Sequence, residues 1–136
     1  KWIRHTGWYP DTKLRLWKKG AGAWMGENPH DEFRLTDKTE EVTHLKGDIL
    51  HYSYHELADH DKQIEYFTTI AAKAFVDKNK KPYFLQGYFS AFLKFIKCYF
   101  IKAGFLDGKE GWIISTKSSY AAYLKYKKIN ALLKRD

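Results

Sequence analysis

The sequence predicts an α+β chain, short strands followed by about three amphipathic helices. Three observations carry that expectation. Polar and apolar residues alternate through Lys13-Leu14-Arg15-Leu16-Trp17-Lys18, the period of a half-buried strand with Leu14 and Leu16 inward. From Glu56 onward the apolar residues recur instead at intervals of three and four, the period of a helix with one apolar face. And 136 residues, 44% hydrophobic and 18% aromatic, suit one packed domain and exclude intrinsic disorder as the main state.

Taken in order, residues 1–24 read as strand-like. Trp2, Ile3, Trp8 and Tyr9 favour extended chain, with Gly7 and Pro10 as punctuation and a turn at Lys18–Gly22. Residues 25–40, with Gly26, Asn28, Pro29 and many charges, read as an irregular loop. Residues 41–54 carry Val42, Leu45, Ile49, Leu50, Tyr52 and Tyr54, and read as a hairpin or two short strands broken at Gly47-Asp48. A helix follows from Glu56 to Asp77, stopped by Lys78-Asn79-Lys80-Lys81-Pro82. A second runs from Tyr83 to Ala103, with Leu85, Tyr88, Phe89, Phe92, Ile96, Tyr99 and Phe100 on one side. Gly104–Gly108 is a break, and a lysine-studded third helix spans Trp112 to Leu133. The chain thus falls into a strand-rich part, 1–54, and a helical part, 55–136, in which membrane association is expected.

Charge and cysteine content narrow the function classes. Lys+Arg number 24 and Asp+Glu 16, a net charge of +8. The single cysteine, Cys98, excludes an intramolecular disulfide framework and a cysteine-based zinc site, and points to a reducing compartment. No apolar stretch approaches the about 20 residues of a membrane-spanning helix, and the charged start Lys-Trp-Ile-Arg-His is not a signal peptide. Lys1 begins the chain and Met25 is the only methionine, so the chain is expected to be a piece of something longer.

Three groups of residues have chemical potential. The stretch Glu27-Asn28-Pro29-His30-Asp31-Glu32 sets carboxylates and an imidazole beside a proline turn. A carboxylate at a cleft can act as a general base on a hydroxyl, and a neighbouring His can orient it. The same composition also describes a solvated acidic loop. His51, His55 and His60 lie near Glu56, Asp59 and Asp61, ligand types that suit zinc or manganese. Their spacing fits no sharp metal motif, and acids at a helix start favour its dipole. Asp59-His60-Asp61 formally reads Asp-x-Asp but sits within a helical pattern. The aromatic, lysine-topped Tyr83–Ala103 stretch suits either a helix packed on a core or one lying on an anionic membrane. No nucleic-acid module signature, phosphate loop or nucleophile elbow is present.

Several strings taken together resemble a known family. They are Lys1-Trp-Ile-Arg-His-Thr-Gly-Trp-Tyr-Pro-Asp11, Lys13-Leu-Arg-Leu-Trp17, Asn28-Pro-His-Asp31, Leu45-Lys-Gly-Asp-Ile-Leu-His-Tyr52 and Gly104-Phe-Leu-Asp-Gly108. In this order they resemble the C-terminal portion of family 2 glycosyltransferases of the lipopolysaccharide-core glucosyltransferase-like group, in a Bacteroides-type variant. The resemblance covers nearly the whole chain. It implies the C-terminal part of a GT-A type nucleotide-sugar transferase with inverting hexosyltransferase chemistry, working in cell-envelope biosynthesis. The nucleotide-binding half and the metal-holding Asp-x-Asp would lie before Lys1, so this chain alone would be inactive. By resemblance Asp31 is the catalytic base, with Glu32 next in line because the family usually has Glu where Asp31 stands; His30 is the residue beside them. Trp8, Tyr9 and Asp11 would line the sugar or acceptor site, Arg15 would reach a phosphate, and His51 would add an imidazole to a divalent cation, magnesium or manganese.

The implied partners are a nucleotide-sugar donor, a glycolipid or lipopolysaccharide-core acceptor and the inner-membrane surface, without nucleic acid. The implied location is cytoplasmic, peripheral on the inner face of the bacterial inner membrane. Unpaired strand edges would invite homodimerisation. The competing reading is a non-catalytic basic module on anionic membrane, with nucleic acid behind it.

Overall fold

A computed structural model describes residues 1–26, 32–37, 41–52 and 56–134. It is a small α+β protein with two antiparallel strands and three α-helices among those residues. The chain divides into a unit formed by Lys1–Asp11 with Tyr54–Asp136 and a unit formed by Thr12–Ser53.

In the first unit the helical period is realised three times: α1 at Leu57–Val76, α2 at Gln86–Ile96 and α3 at Lys109–Leu133. α2 runs on into a π-helical turn, Lys97–Ile101, and the expected break is a 3-10 turn, Gly104–Asp107. α1 buries His60, Ile64, Thr68 and Ala72, a stripe at intervals of four that two polar residues share. Thr68 tolerates burial because its hydroxyl donates to the Ile64 carbonyl at 2.6 Å. Ala72 meets Tyr126 and Ile129 of α3 in the core, flanked by Phe75, Val76, Leu132 and Leu133.

Polar contacts fix the register of α1 on α3. The Lys128 ammonium donates to the Glu65 carboxylate at 2.6 Å, the Glu65 carbonyl at 2.8 Å and the Thr68 and Thr69 hydroxyls at 3.0 and 2.8 Å. Lys117 pairs with Asp61. Two of the lysines on the third helix are therefore committed to α1.

α2 packs on α3 through its small residues. A Cβ added at Gly87 would lie 3.0 Å from the Tyr126 Cβ, and Ser119 donates to the Ala91 carbonyl at 2.8 Å. Gln86 Nε2 donates to the Tyr126 hydroxyl at 3.0 Å. Of the two readings of this helix, core packing does not hold for its wide aromatic face: Tyr88, Phe89, Phe92 and Phe100 are all exposed. Glycine and alanine allow a close helix–helix approach, Phe95 meets Trp112 of α3 at 5.4 Å, and Phe89, Phe92 and Phe100 are left on the outside.

In the second unit, β1 (Gly22–Met25) pairs with β2 (Glu32–Leu35), with Trp24 opposite Phe33 and Met25 opposite Glu32. β2 falls where the sequence reads as irregular loop, and β1 runs from the turn at Gly22 through the end of the strand-like stretch 1–24 into that loop. The expected strand at 13–18 is irregular chain with Leu16 75% exposed, and the described part of 41–54 is irregular too, with Ile49 77% exposed. Residues 1–11, read as strand-like, are irregular and pack in the helical unit. Alternation makes a strand only where a partner edge and a covering layer exist; neither is supplied to these segments.

Candidate functional site

Cross-strand partners stand on the same face of a hairpin, so Trp24 and Phe33 share one side, with ring centres 6.0 Å apart. Trp17, which precedes β1, stacks on Phe33 at 3.8 Å and 16° and meets Trp24 edge-on at 6.1 Å. Gly22 admits this arrangement. A Cβ there would lie 2.8 Å from the Phe33 ring and 2.2 Å from the Arg34 carbonyl oxygen. Trp24 stays 64% exposed and Trp17 39%. Flat, solvent-facing rings of this kind present an apolar face with a negative quadrupole, which suits the C–H-bearing face of a sugar.

Glu32 and Arg34 occupy the opposite face of β2, because strand side chains alternate. Arg34 Nε donates to Glu32 Oε1 at 2.7 Å, and a terminal guanidinium nitrogen lies 2.6 Å from the same oxygen. To act as a base toward a sugar on the aromatic face, Glu32 would have to leave Arg34 and change sides. His30 and Asp31 lie outside the described residues, as do Glu27, Asn28 and Pro29. Arg15 is exposed on the irregular approach to β1, and His51 is exposed in an irregular segment of the same unit. His55 also lies outside the described residues.

Trp8, Tyr9 and Asp11 belong to the helical unit. The half-buried Trp8 ring meets the buried His60 ring of α1 edge-on at 6.0 Å. Burial pushes the His60 imidazole below its ordinary value, Lys117 pushes it further, and Asp61 opposes them. Trp8 thus has a packing role in this unit, while Tyr9 is 42% exposed.

The terminal segment is held by Asp107, which is 4% exposed. Its carboxylate accepts the Arg4 N–H at 3.2 Å, the His5 N–H at 2.8 Å and the His5 ring Nδ1 at 3.0 Å. Thr6 N–H donates to the Lys102 carbonyl at 3.1 Å. Lys1 donates to the Asp107 carbonyl at 2.5 Å and reaches Glu110 at 3.1 Å. Burial pushes the Asp107 carboxyl up, but the His5 ring and the two backbone N–H groups outweigh it and hold the group below its ordinary value. The Gly-Phe-Leu-Asp-Gly string is therefore a clamp on the Lys1–Thr6 segment. Its first glycine is required: a Cβ at Gly104 would lie 2.7 Å from the Cys98 carbonyl oxygen and 2.8 Å from the Thr6 methyl, and a Cβ at Gly111 of α3 would lie 1.8 Å from the Gly104 carbonyl oxygen, so neither side of this contact has spare room.

Trp17, Trp24 and Phe33 were not singled out as site residues by sequence reasoning, which favoured Trp8 and Tyr9. A signal was present: aromatic residues flank the acidic stretch on both sides, with Gly20, Gly22 and Gly26 between. Among the described residues, no three His, Cys, Asp or Glu side chains come together to hold a metal ion. Among the described residues, His51 is not joined by two further such side chains. Among the described residues no helix is long and apolar enough to cross a membrane. No protein-family model matches the chain, and no solved structure matches it.

Proposed function

We propose that this chain is the C-terminal, acceptor-side part of an inverting glycosyltransferase, one that moves a sugar from a nucleotide-sugar donor to a lipid-linked or lipopolysaccharide-core glycan. The observation that supports this most is the Trp17–Trp24–Phe33 cluster, with both tryptophans exposed, on and just before the strands that flank residues 27–31. An acceptor sugar needs a flat apolar surface to lie on and a carboxylate to take its proton. The five strings that carry the family resemblance supply the rest of the support.

The chemistry is a single displacement. The acceptor hydroxyl oxygen forms a bond to the anomeric carbon as the bond to the nucleotide diphosphate breaks, and a carboxylate takes the hydroxyl proton. One base suffices, and no covalent nucleophile is needed. Asp31 is the better candidate, because Glu32 is engaged by Arg34 on the face away from the rings. The protein would work peripherally at the cytoplasmic face of the bacterial inner membrane, where lipid-linked acceptors are within reach.

The test is Asp31→Asn in the protein as its host produces it. Transfer from nucleotide sugar to a lipid-linked glycan is expected to fall about 10²–10⁴-fold, the usual contribution of a general base, with donor binding retained. Unchanged turnover overturns Asp31 as the base. A parent protein that neither binds nucleotide sugar nor transfers it overturns the glycosyltransferase reading.

A further inference from the structure

α2 and the turns around it are built the reverse of a core helix. Toward α3, Gly87 and Ala91 are small and Phe95 meets Trp112 at 5.4 Å, while Phe89 and Phe92 point out at 64% and 61% exposure and Tyr88, 62% exposed, meets Tyr123 at 5.1 Å along one edge. The stripe continues to Phe100 at 55%, and Tyr83 and Phe84 just before the helix are 83% and 94% exposed. Aromatic side chains carry about 150–250 Å² each. At these exposures the six aromatic residues together expose roughly 600–1,000 Å² to solvent, an amount that on an ordinary monomer, where the largest patch is about 300–600 Å², calls for a partner surface.

Charge identifies the occupant. From Lys78 to Leu106 there is no Asp or Glu, while Lys78, Lys80, Lys81, Lys94, Lys97 and Lys102 are all exposed. A second copy seated symmetrically on this face would bring two such sets of lysines together, which like-charge repulsion opposes. A surface both apolar and negatively charged satisfies the rings and the lysines at once.

We propose that Tyr83–Leu106 is an interfacial membrane site. α2 lies in the plane of a bilayer containing anionic phospholipid, its aromatic rings at the boundary between headgroups and acyl chains and the lysines on the phosphates. The proposal deepens the peripheral-membrane part of the proposed function by naming the surface, and it is argued from this helix and its charges, so that its failure leaves the transfer chemistry to be tested separately at Asp31.

The test is co-sedimentation of the 136-residue chain with phosphatidylcholine vesicles, with and without about 30% phosphatidylglycerol, a mixture that makes the surface anionic. Binding is expected to the anionic vesicles, to weaken as salt rises, and to be slight on phosphatidylcholine alone. The pair Phe89→Ser/Phe92→Ser is expected to weaken it at least tenfold with helix content unchanged. Lys94→Gln/Lys97→Gln is expected to weaken it about fivefold per lysine. If the double Phe variant loses helix, Phe84→Ser serves instead, since that ring is 94% exposed and outside α2. Three results overturn the proposal. One is no sedimentation with anionic vesicles; another is binding that the Phe substitutions leave unchanged. The third is a concentration-dependent dimer that the Phe substitutions abolish, which would assign the face to a second copy.

Discussion

Asp107→Asn is expected to destabilise the helical unit by about 2–4 kcal/mol. The buried carboxylate accepts three hydrogen bonds, at 3.2, 2.8 and 3.0 Å, from Arg4 and His5. A hydrogen bond to a charged group is worth about 1.5–3 kcal/mol net. The amide keeps one acceptor oxygen but turns an NH₂ toward at least one of the donors, so one or two bonds are lost outright. The loss stays below the sum of all three, because the Lys1–Thr6 segment can lift off, rehydrate its N–H groups and regain chain entropy. At about 4–8 °C per kcal/mol for a domain of this size, the melting temperature falls by about 10–25 °C. The assay is a thermal melt followed by circular dichroism, together with hydrogen exchange at the Arg4 and His5 amides. Both amides should exchange much faster in the variant.

The same clamp has a pH signature. Asp107 is held below its ordinary carboxylate value of 3.8 in the folded state. The corresponding stabilisation is complete above that value and is lost as pH falls through the lower folded value. The parent chain therefore loses stability below about pH 4, and the Asn variant lacks this component. A variant that melts within about 2 °C of the parent, with Arg4 and His5 exchange unchanged, refutes the reasoning.

Two further outcomes follow from the packing of the helical unit. Gly111→Ala is expected to cost at least about 1–3 kcal/mol, the range for overpacking, because its Cβ would meet the Gly104 carbonyl oxygen at 1.8 Å; a urea titration reads it, and a midpoint equal to the parent's contradicts the contact. His60 is held below its ordinary value of 6.5 by burial and by Lys117, so its contribution is present above 6.5 and is lost as pH falls through the lower folded value. Unfolding free energy measured from pH 7.5 to 5 should decline in the parent and decline less in His60→Gln.

The three helices were legible in the sequence because each runs through several turns. Leu57, Ile64, Phe67, Ile70, Ala71, Ala74 and Phe75, or Leu85, Tyr88, Phe89 and Phe92, repeat the helical period often enough for local pattern to decide the element. The strands were not legible. Four residues give two side chains per face, too few to distinguish alternation from chance, and the glycines and proline around them carry the stronger signal. The alternation of Lys13–Lys18 misled for the converse reason: it was regular, but Trp17 spends its ring on Phe33 and the backbone finds no ladder.

Composition and local order by themselves determined the α+β class, the net charge of +8 and the lysine-rich, acid-free run from Lys78 to Leu106. They also singled out Gly104–Gly108 as a motif, without its role. Tertiary structure alone decided which side of α2 faces out, because helical period locates an apolar face but not what covers it; here the close approach permitted by Gly87 and Ala91 settled the matter. It alone joined Asp107 to Arg4 and His5, residues more than 100 positions apart. A hydrogen bond across that separation leaves no periodic trace in a sequence, since it depends on where the folded backbone brings the two segments together.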